Sequence, residues 1–182
     1  MEISKWKERI NIEREQKDAF FKMHFQSPLP FDERQRFKGL NYYPPDWSYR
    51  FELELQEYKE KGTLKIEDTQ GNEREFLKWG EFNFKVNDTD CKLQAYKSSP
   101  EEELLFVPFR DATSGKETYG AGRYLELETG RHQTPEGKWI VDFNEAYNPW
   151  CAYSKDYACP FTPPENWLKV PIYAGEKDYK NK

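Results

Sequence analysis

The chain is poor in the residues that usually announce chemistry. It holds three cysteines and two histidines. Cys91, Cys151 and Cys159 are odd in number and too sparse for a disulfide framework. Cys151 and Cys159 could still close a short loop, which geometry decides. They lack the C-x-x-C spacing of structural zinc, and His24 and His132 fall on unrelated segments, so no metal and no cofactor is expected. Long apolar runs are absent as well. Leu104 to Phe109 is far shorter than a membrane span. Met1-Glu2-Ile3-Ser4-Lys5-Trp6 lacks the apolar stretch of a signal peptide, so a cytoplasmic home is expected, with export after signal removal as the alternative. No basic stripe accompanies the net charge of −5, which argues against nucleic acid as a partner. Gly120-Ala121-Gly122 lacks the third glycine and following helix of a dinucleotide fingerprint, and reads as close backbone packing or a bulge.

Aliphatic residues are also scarce. Leu, Ile, Val and Phe together make up about 19% of the chain, a level that borders on disorder. The aromatics reverse that reading: 13 Phe, 12 Tyr and 6 Trp outnumber the aliphatic Leu, Ile and Val. Each ring buries on the order of 150–250 Å2, so few residues close a core. A folded single domain over 1–182 follows.

The pattern divides that domain. A helical arm over 4–26 has Ser4 as its cap, with Trp6, Ile10, Phe20, Phe21 and His24 as docking residues at its ends. Glu13 and Lys17, four apart, suit an exposed middle. The arm serves either as a clasp on its own domain, the favoured reading, or as a homo-oligomer contact. A proline-rich tether follows over 27–48, with a short helix expected from Asp32 to Phe37. From Tyr49 the period becomes two: Phe51, Leu53 and Leu55, then Leu64 and Ile66, Phe82 to Val86, and Cys91 to Ala95. Gln70-Gly71-Asn72 and Asn87-Asp88-Thr89-Asp90 supply turns. Leu104 to Phe109, apolar on both faces, reads as a covered strand. Tyr119 to Glu128 and Lys138 to Phe143 complete an antiparallel sheet over 49–143. A long ordered loop over 144–166 and a final strand over 167–173 close the chain. The fold expected is mainly β with a helical N-terminal arm: a meander of roughly eight strands closing into a barrel or half-open barrel, or else a two-sheet sandwich.

Phe106-Val107-Pro108-Phe109-Arg110-Asp111-Ala112-Thr113-Ser114-Gly115, Thr118-Tyr119-Gly120-Ala121-Gly122-Arg123-Tyr124-Leu125 and Asp142-Phe143-Asn144 form one set of motifs. Ala146-Tyr147-Asn148-Pro149, Cys151-Ala152-Tyr153-Ser154, Cys159-Pro160, Pro163-Pro164-Glu165-Asn166 and Ala174-Gly175-Glu176-Lys177 form another. Together they resemble an uncharacterised prokaryotic family, the domain of unknown function numbered 1684. The resemblance implies no activity. Trp150, and Trp167 where the family suggests Arg, are mild departures.

The residues able to carry chemistry gather after Phe109. If Leu125 and Leu127 point inward, the two-residue period turns Arg123 inward too. A buried Arg needs a partner, and Asp142 or Asp111 would serve. Ile140 argues for an inward Asp142, whereas Trp139, Val141 and Phe143 argue for the reverse. The functional reading is a β-barrel that binds a small, anionic molecule, with Arg123 as anchor and Tyr119, Tyr124, Asp142, Asn144, Asn148 and Arg110 around it. The competing reading makes the same residues a stabilising network in a structural or protein-interaction module. A hydrolase using Asp142, Glu165 or Cys151 is the third, and no residue pattern is specific to it.

Overall fold

The computed structural model describes residues 2–179. The N-terminal arm is a helix, α1 (Ile3–Met23), that buries Trp6, Ile10 and Phe21 against its own domain. Ser4 lies inside this helix; the cap position is Glu2, and no side chain caps it. The middle of α1 is not the solvated stretch that Glu13 and Lys17 suggest. Glu13 pairs with Arg9 at 3.0 Å and with Arg131 at 3.2 Å, which frees Lys17 to reach the buried Glu176. Arg14 donates to the carbonyls of Tyr43 at 2.8 Å and Asn144 at 3.3 Å. Satisfying backbone carbonyls that would otherwise be orphaned holds the helix along its length. The short helix of the tether, α2, covers Phe31–Arg34 rather than Asp32 to Phe37.

The strands are β1 (Arg50–Leu53), β2 (Gln56–Glu57), β3 (Thr63–Glu67), β4 (Glu73–Val86), β5 (Thr89–Lys97), β6 (Leu104–Phe109), β7 (Arg123–Glu128) and β8 (Trp139–Asp142). All ladders between them are antiparallel. One sheet runs β2-β4-β5-β6-β7 with β3 also on β4; a second joins β1 to β8. Asn87 and Asp88, both at positive φ, make the two-residue turn from β4 to β5, the backbone twist that a tight hairpin demands.

Among the described residues no ladder joins β7 to β8, so the hydrogen bonds do not close a ring. The strand is interrupted at Glu54-Leu55, and β1 and β2 go to different partners. The expected final strand is likewise not formed. Residues 168–174 alternate buried and exposed as a strand would, and parallel backbone bonds begin beside Arg110. The Arg110 N–H donates to the Asn166 carbonyl at 3.0 Å, the Leu168 N–H to that of Arg110 at 2.7 Å and the Ala112 N–H to that of Val170 at 3.1 Å. They make one bridge, Arg110 to Trp167, and no ladder. Pro171 has no N–H to give, and the Ile172 N–H goes to the Asp111 carboxylate at 2.6 Å instead of to a ladder.

Both sheets and the terminal segment enclose one core of Phe82, Leu93, Leu105, Val107, Phe109, Leu125, Val141, Phe143 and Ile172. A smaller cluster under the end of α1 packs Phe21, Leu29 and Phe37 on Ala152 and Tyr153 of the long loop. Gly122, at φ +103°, marks the entry to β7; a Cβ there would lie 2.5 Å from the Phe109 carbonyl oxygen. The glycine reading of close backbone approach is what this position requires. No described helix is long and apolar enough to cross a membrane.

Candidate functional site

Alternation along β7 turns Arg123, Leu125 and Leu127 to the core, and Arg123 is fully buried. Its partner is Asp111, 3.5 Å away, and not Asp142. One Nη donates to the carbonyls of Ala174 and, at 3.1 Å, Glu176; the other donates to Ile172 at 3.0 Å. Burial pulls the guanidinium pKa down and Asp111 opposes the fall. Asp111 also accepts from Thr113, Ser114 and the Ile172 N–H. The pair staples the terminal segment to the β6–β7 connection. An anchor for a ligand in the sheet interior is therefore not what Arg123 provides: its Nη donors meet protein carbonyls, and it borders neither recess described below.

Asp142 faces the opposite way. Trp139, Val141 and Phe143 occupy the core, so Asp142 turns toward α1 and accepts from Trp6 Nε1 at 2.7 Å. The Asn144 N–H and side-chain amide donate to its other oxygen at 3.0 and 2.8 Å. Burial raises its pKa, and the bonds from Trp6 and Asn144 pull it back. Asn144 also ties Asp46 to the sheet, and Asn148 donates to the Lys177 carbonyl at 2.9 Å. Arg110 stacks on Trp167, 4.4 Å from the ring centroid. Glu165 pairs with Lys78 at 3.5 Å, in a different neighbourhood from Asp142. The carboxylates named for hydrolysis are not brought together, and among the described residues no cluster of metal-ligating side chains forms.

The same alternation sends Tyr124 to the outer face, where it lines a cleft of about 610 Å3 between the sheet and the loop over 144–166. Four rings run across it. Phe76 stacks on Phe106 at 5.5 Å, Phe106 meets Tyr124 edge-on at 4.8 Å, and Tyr124 meets Tyr147 at 5.9 Å. Trp150 forms the wall. The loop is held there as an added edge of the sheet: Tyr124 and Tyr147 exchange backbone hydrogen bonds at 2.9 and 3.1 Å. The Tyr124 hydroxyl donates to the Pro160 carbonyl, fixing the far side of the loop. Burial raises the pKa of Tyr124 and Tyr147, so both stay protonated.

A second, polar recess of about 230 Å3 lies beneath the middle of α1 and shares Lys17, Glu126 and Tyr147 with the cleft. In it the Tyr42 hydroxyl and Arg14 Nε have no hydrogen-bond partner among the described residues. Glu176 is buried beside it, accepting from Lys17, from the Asn148 N–H at 2.8 Å and from the Tyr153 hydroxyl at 2.5 Å. Lys17 Nζ also sits 4.9 Å from the Tyr147 ring centroid, at the junction of the two spaces.

Sequence reasoning placed Tyr124, Asn144 and Tyr119 near a site but missed Phe76, Phe106, Tyr147, Trp150, Lys17 and Arg14. Leu104 and Phe106 carried a signal: as outward residues of a doubly apolar strand they need a cover, and the aromatic loop supplies part of it. At the cleft's end the Cys159 Sγ accepts from the Cys151 N–H at 3.4 Å, and the Tyr119 hydroxyl lies 3.7 Å from the Cys151 Sγ.

No curated protein matches the chain. The solution structure of an uncharacterised protein from Haloarcula marismortui is similar, with a TM-score of 0.75 at 36% identity, over 98% of this chain and 97% of that one. The model of the family described as "Protein of unknown function (DUF1684)" matches residues 35–177, and the chain belongs to that family.

Proposed function

We propose that this chain binds a small molecule with a flat, largely apolar body and a polar end. The body stacks on Phe106, Tyr124 and Trp150, and the polar end meets Lys17 and Glu126 on the way to the recess under α1. One observation carries the reading: a run of four rings floors a cleft of about 610 Å3, which falls in the size range of ligand pockets. Arg123, whose two Nη groups are taken by protein carbonyls beside Asp111, cannot supply the anionic preference first attached to it. Around the recess Glu13, Glu126, Glu128, Glu145 and Glu176 outnumber Arg14, Lys17 and Arg131, which favours a neutral or zwitterionic polar end over a bare anion.

A heteroaromatic library followed by melting temperature tests this. A ligand at one hundred times its Kd adds about 2.7 kcal/mol, a shift on the order of 5–10 °C for a domain this size. Trp150→Ala, at a 37% exposed wall position, should weaken the same ligand at least tenfold while the protein stays folded. Hits that bind wild type and Trp150→Ala equally, or an absence of hits, sink the reading. The alternative, a structural or protein-interaction module, draws support from the bonding of Arg123 and Asp142 to protein groups and would then stand.

A further inference from the structure

Two thiols meet where the cleft ends. Cys151 sits in the short 3-10 turn Trp150–Ala152, and Cys159 follows after a loop tied to the β3–β4 hairpin. The tie is specific: the Cys159 N–H donates to Thr69 Oγ1 at 3.2 Å, and the Thr69 N–H donates to the Cys159 carbonyl at 3.1 Å. These bonds hold the Cys159 sulfur 3.4 Å from the backbone nitrogen of Cys151. Both thiols are free, Cys151 is half-exposed, and Cys159 lines the cleft. Cys91 is different, buried within the sheet core with burial raising its pKa.

We propose that Cys151 and Cys159 form a two-thiol redox site that reduces a peroxide and stores the two electrons removed from it as a reversible disulfide. The Cys151 thiolate attacks one peroxide oxygen; the O–O bond breaks, and the departing oxygen takes a proton and leaves as water or an alcohol. Cys151 is then a sulfenic acid. The Cys159 sulfur attacks it, the S–S bond forms, the S–O bond breaks, and hydroxide leaves as water with the Cys159 proton. Two thiols and one hydroperoxide thus give one disulfide, one alcohol and one water, and a small dithiol returns the pair to its reduced state.

The division of labour follows from the surroundings. Hydrogen bonds from the Cys159 thiol and the Tyr119 hydroxyl stabilise negative charge on the Cys151 sulfur and lower its pKa against the opposing effect of burial. Cys159, the donor of that bond, has its pKa raised by it and by burial. Cys151, less buried than Cys159 and with the Tyr119 hydroxyl 3.7 Å from its sulfur, is thus the attacking thiol and Cys159 the resolving one. The loop between them also carries Tyr157, which packs edge-on against Trp150 at 5.0 Å, so the bridge would close across the segment that walls the cleft.

The test uses the full chain, reduced and freed of reductant, with hydrogen peroxide as the probe. Intact mass should fall by about 2 Da, restored by a dithiol, and peptide mapping should find Cys151 joined to Cys159 with Cys91 still reduced. Cys159→Ser, or Cys159→Ala should the first fold poorly, should instead give a sulfenic acid at Cys151 that a cyclic diketone traps. Cys151→Ser should give no trapped adduct at Cys159. Cys151 in wild type should react at least tenfold faster than Cys91. A pair that stays reduced, or reaction at Cys91 as fast as at Cys151, overturns the proposal. The outcome does not depend on what fills the cleft, because the peroxide needs no aromatic body.

Discussion

A guanidinium with no exposed surface survives in a protein interior only where its charge is met and most of its N–H groups are bonded. Arg123 has Asp111 beside it and three carbonyls on its Nη groups, with only its Nε left unpartnered among the described residues. Taking out one member of a buried pair leaves the other charged, unsolvated and alone. Arg123→Ala should therefore cost about 3–5 kcal/mol in urea unfolding. Asn166 plays a neutral version of the same part. Its side chain accepts from the Gln94 N–H at 2.8 Å and donates to the carbonyls of Gln94 and Pro108 at 2.9 and 2.7 Å. It thereby serves as a piece of substitute backbone where β5 and β6 share one register pair only. Asn166→Ala strands those three groups, and at roughly 1–3 kcal/mol for a buried unsatisfied group it should lower the midpoint of denaturation clearly. Glu165-Asn166 after two prolines suggests nothing more than a turn, because the partners of Asn166 lie 58 and 72 residues away in sequence.

Among the elements, α1 shows how a helix of mixed polarity can be fastened along its whole length. Trp6 buries its ring edge-on against Trp47 at 5.2 Å and gives its N–H to Asp142, Arg14 and Lys17 take carbonyls and Glu176, and Phe21 packs on Tyr153. Trp6→Phe keeps a ring in place but removes the charge-assisted bond, and should cost about 1.5–3 kcal/mol by chemical denaturation. It should also raise the Asp142 pKa further, since the Trp6 bond is one of those holding it down. The helix was legible from its residues, down to the docking positions Trp6, Ile10 and Phe21. Its polar middle was not, because Glu13 and Lys17 have the spacing of a solvated pair and only the packed domain offers Arg131 and Glu176 in its place.

For the molecule as a whole, the acid limb of stability rests on carboxylates with opposite tendencies. Glu145 would be raised by burial, but His132 at 3.0 Å and Arg9 at 2.7 Å hold it below its ordinary 4.5. A depressed carboxylate stabilises the fold above its unfolded pKa, and that contribution is lost as pH falls through the lower folded value. Asp142, raised by burial, works in the other sense: its contribution is full below its ordinary 3.8 and fades as pH rises through the folded value. Glu145→Gln should accordingly flatten the fall in unfolding free energy below about pH 4.5, measured by urea titration from pH 3 to 7. An unchanged slope would place the acid sensitivity elsewhere. Local pattern by itself determined where β1 and β3 to β8 lie, though not β2, and it gave the Asn87-Asp88 turn, the close approach at Gly122 and the inward phase of Arg123, because pleat alternation and turn sterics act between neighbours. It could not decide that Arg123 takes Asp111, that Asp142 turns to the helix, or that the aromatic loop leaves a cleft over Phe106. Those outcomes depend on which distant segment covers each face of the sheet, and that is settled by packing between elements far apart in the chain.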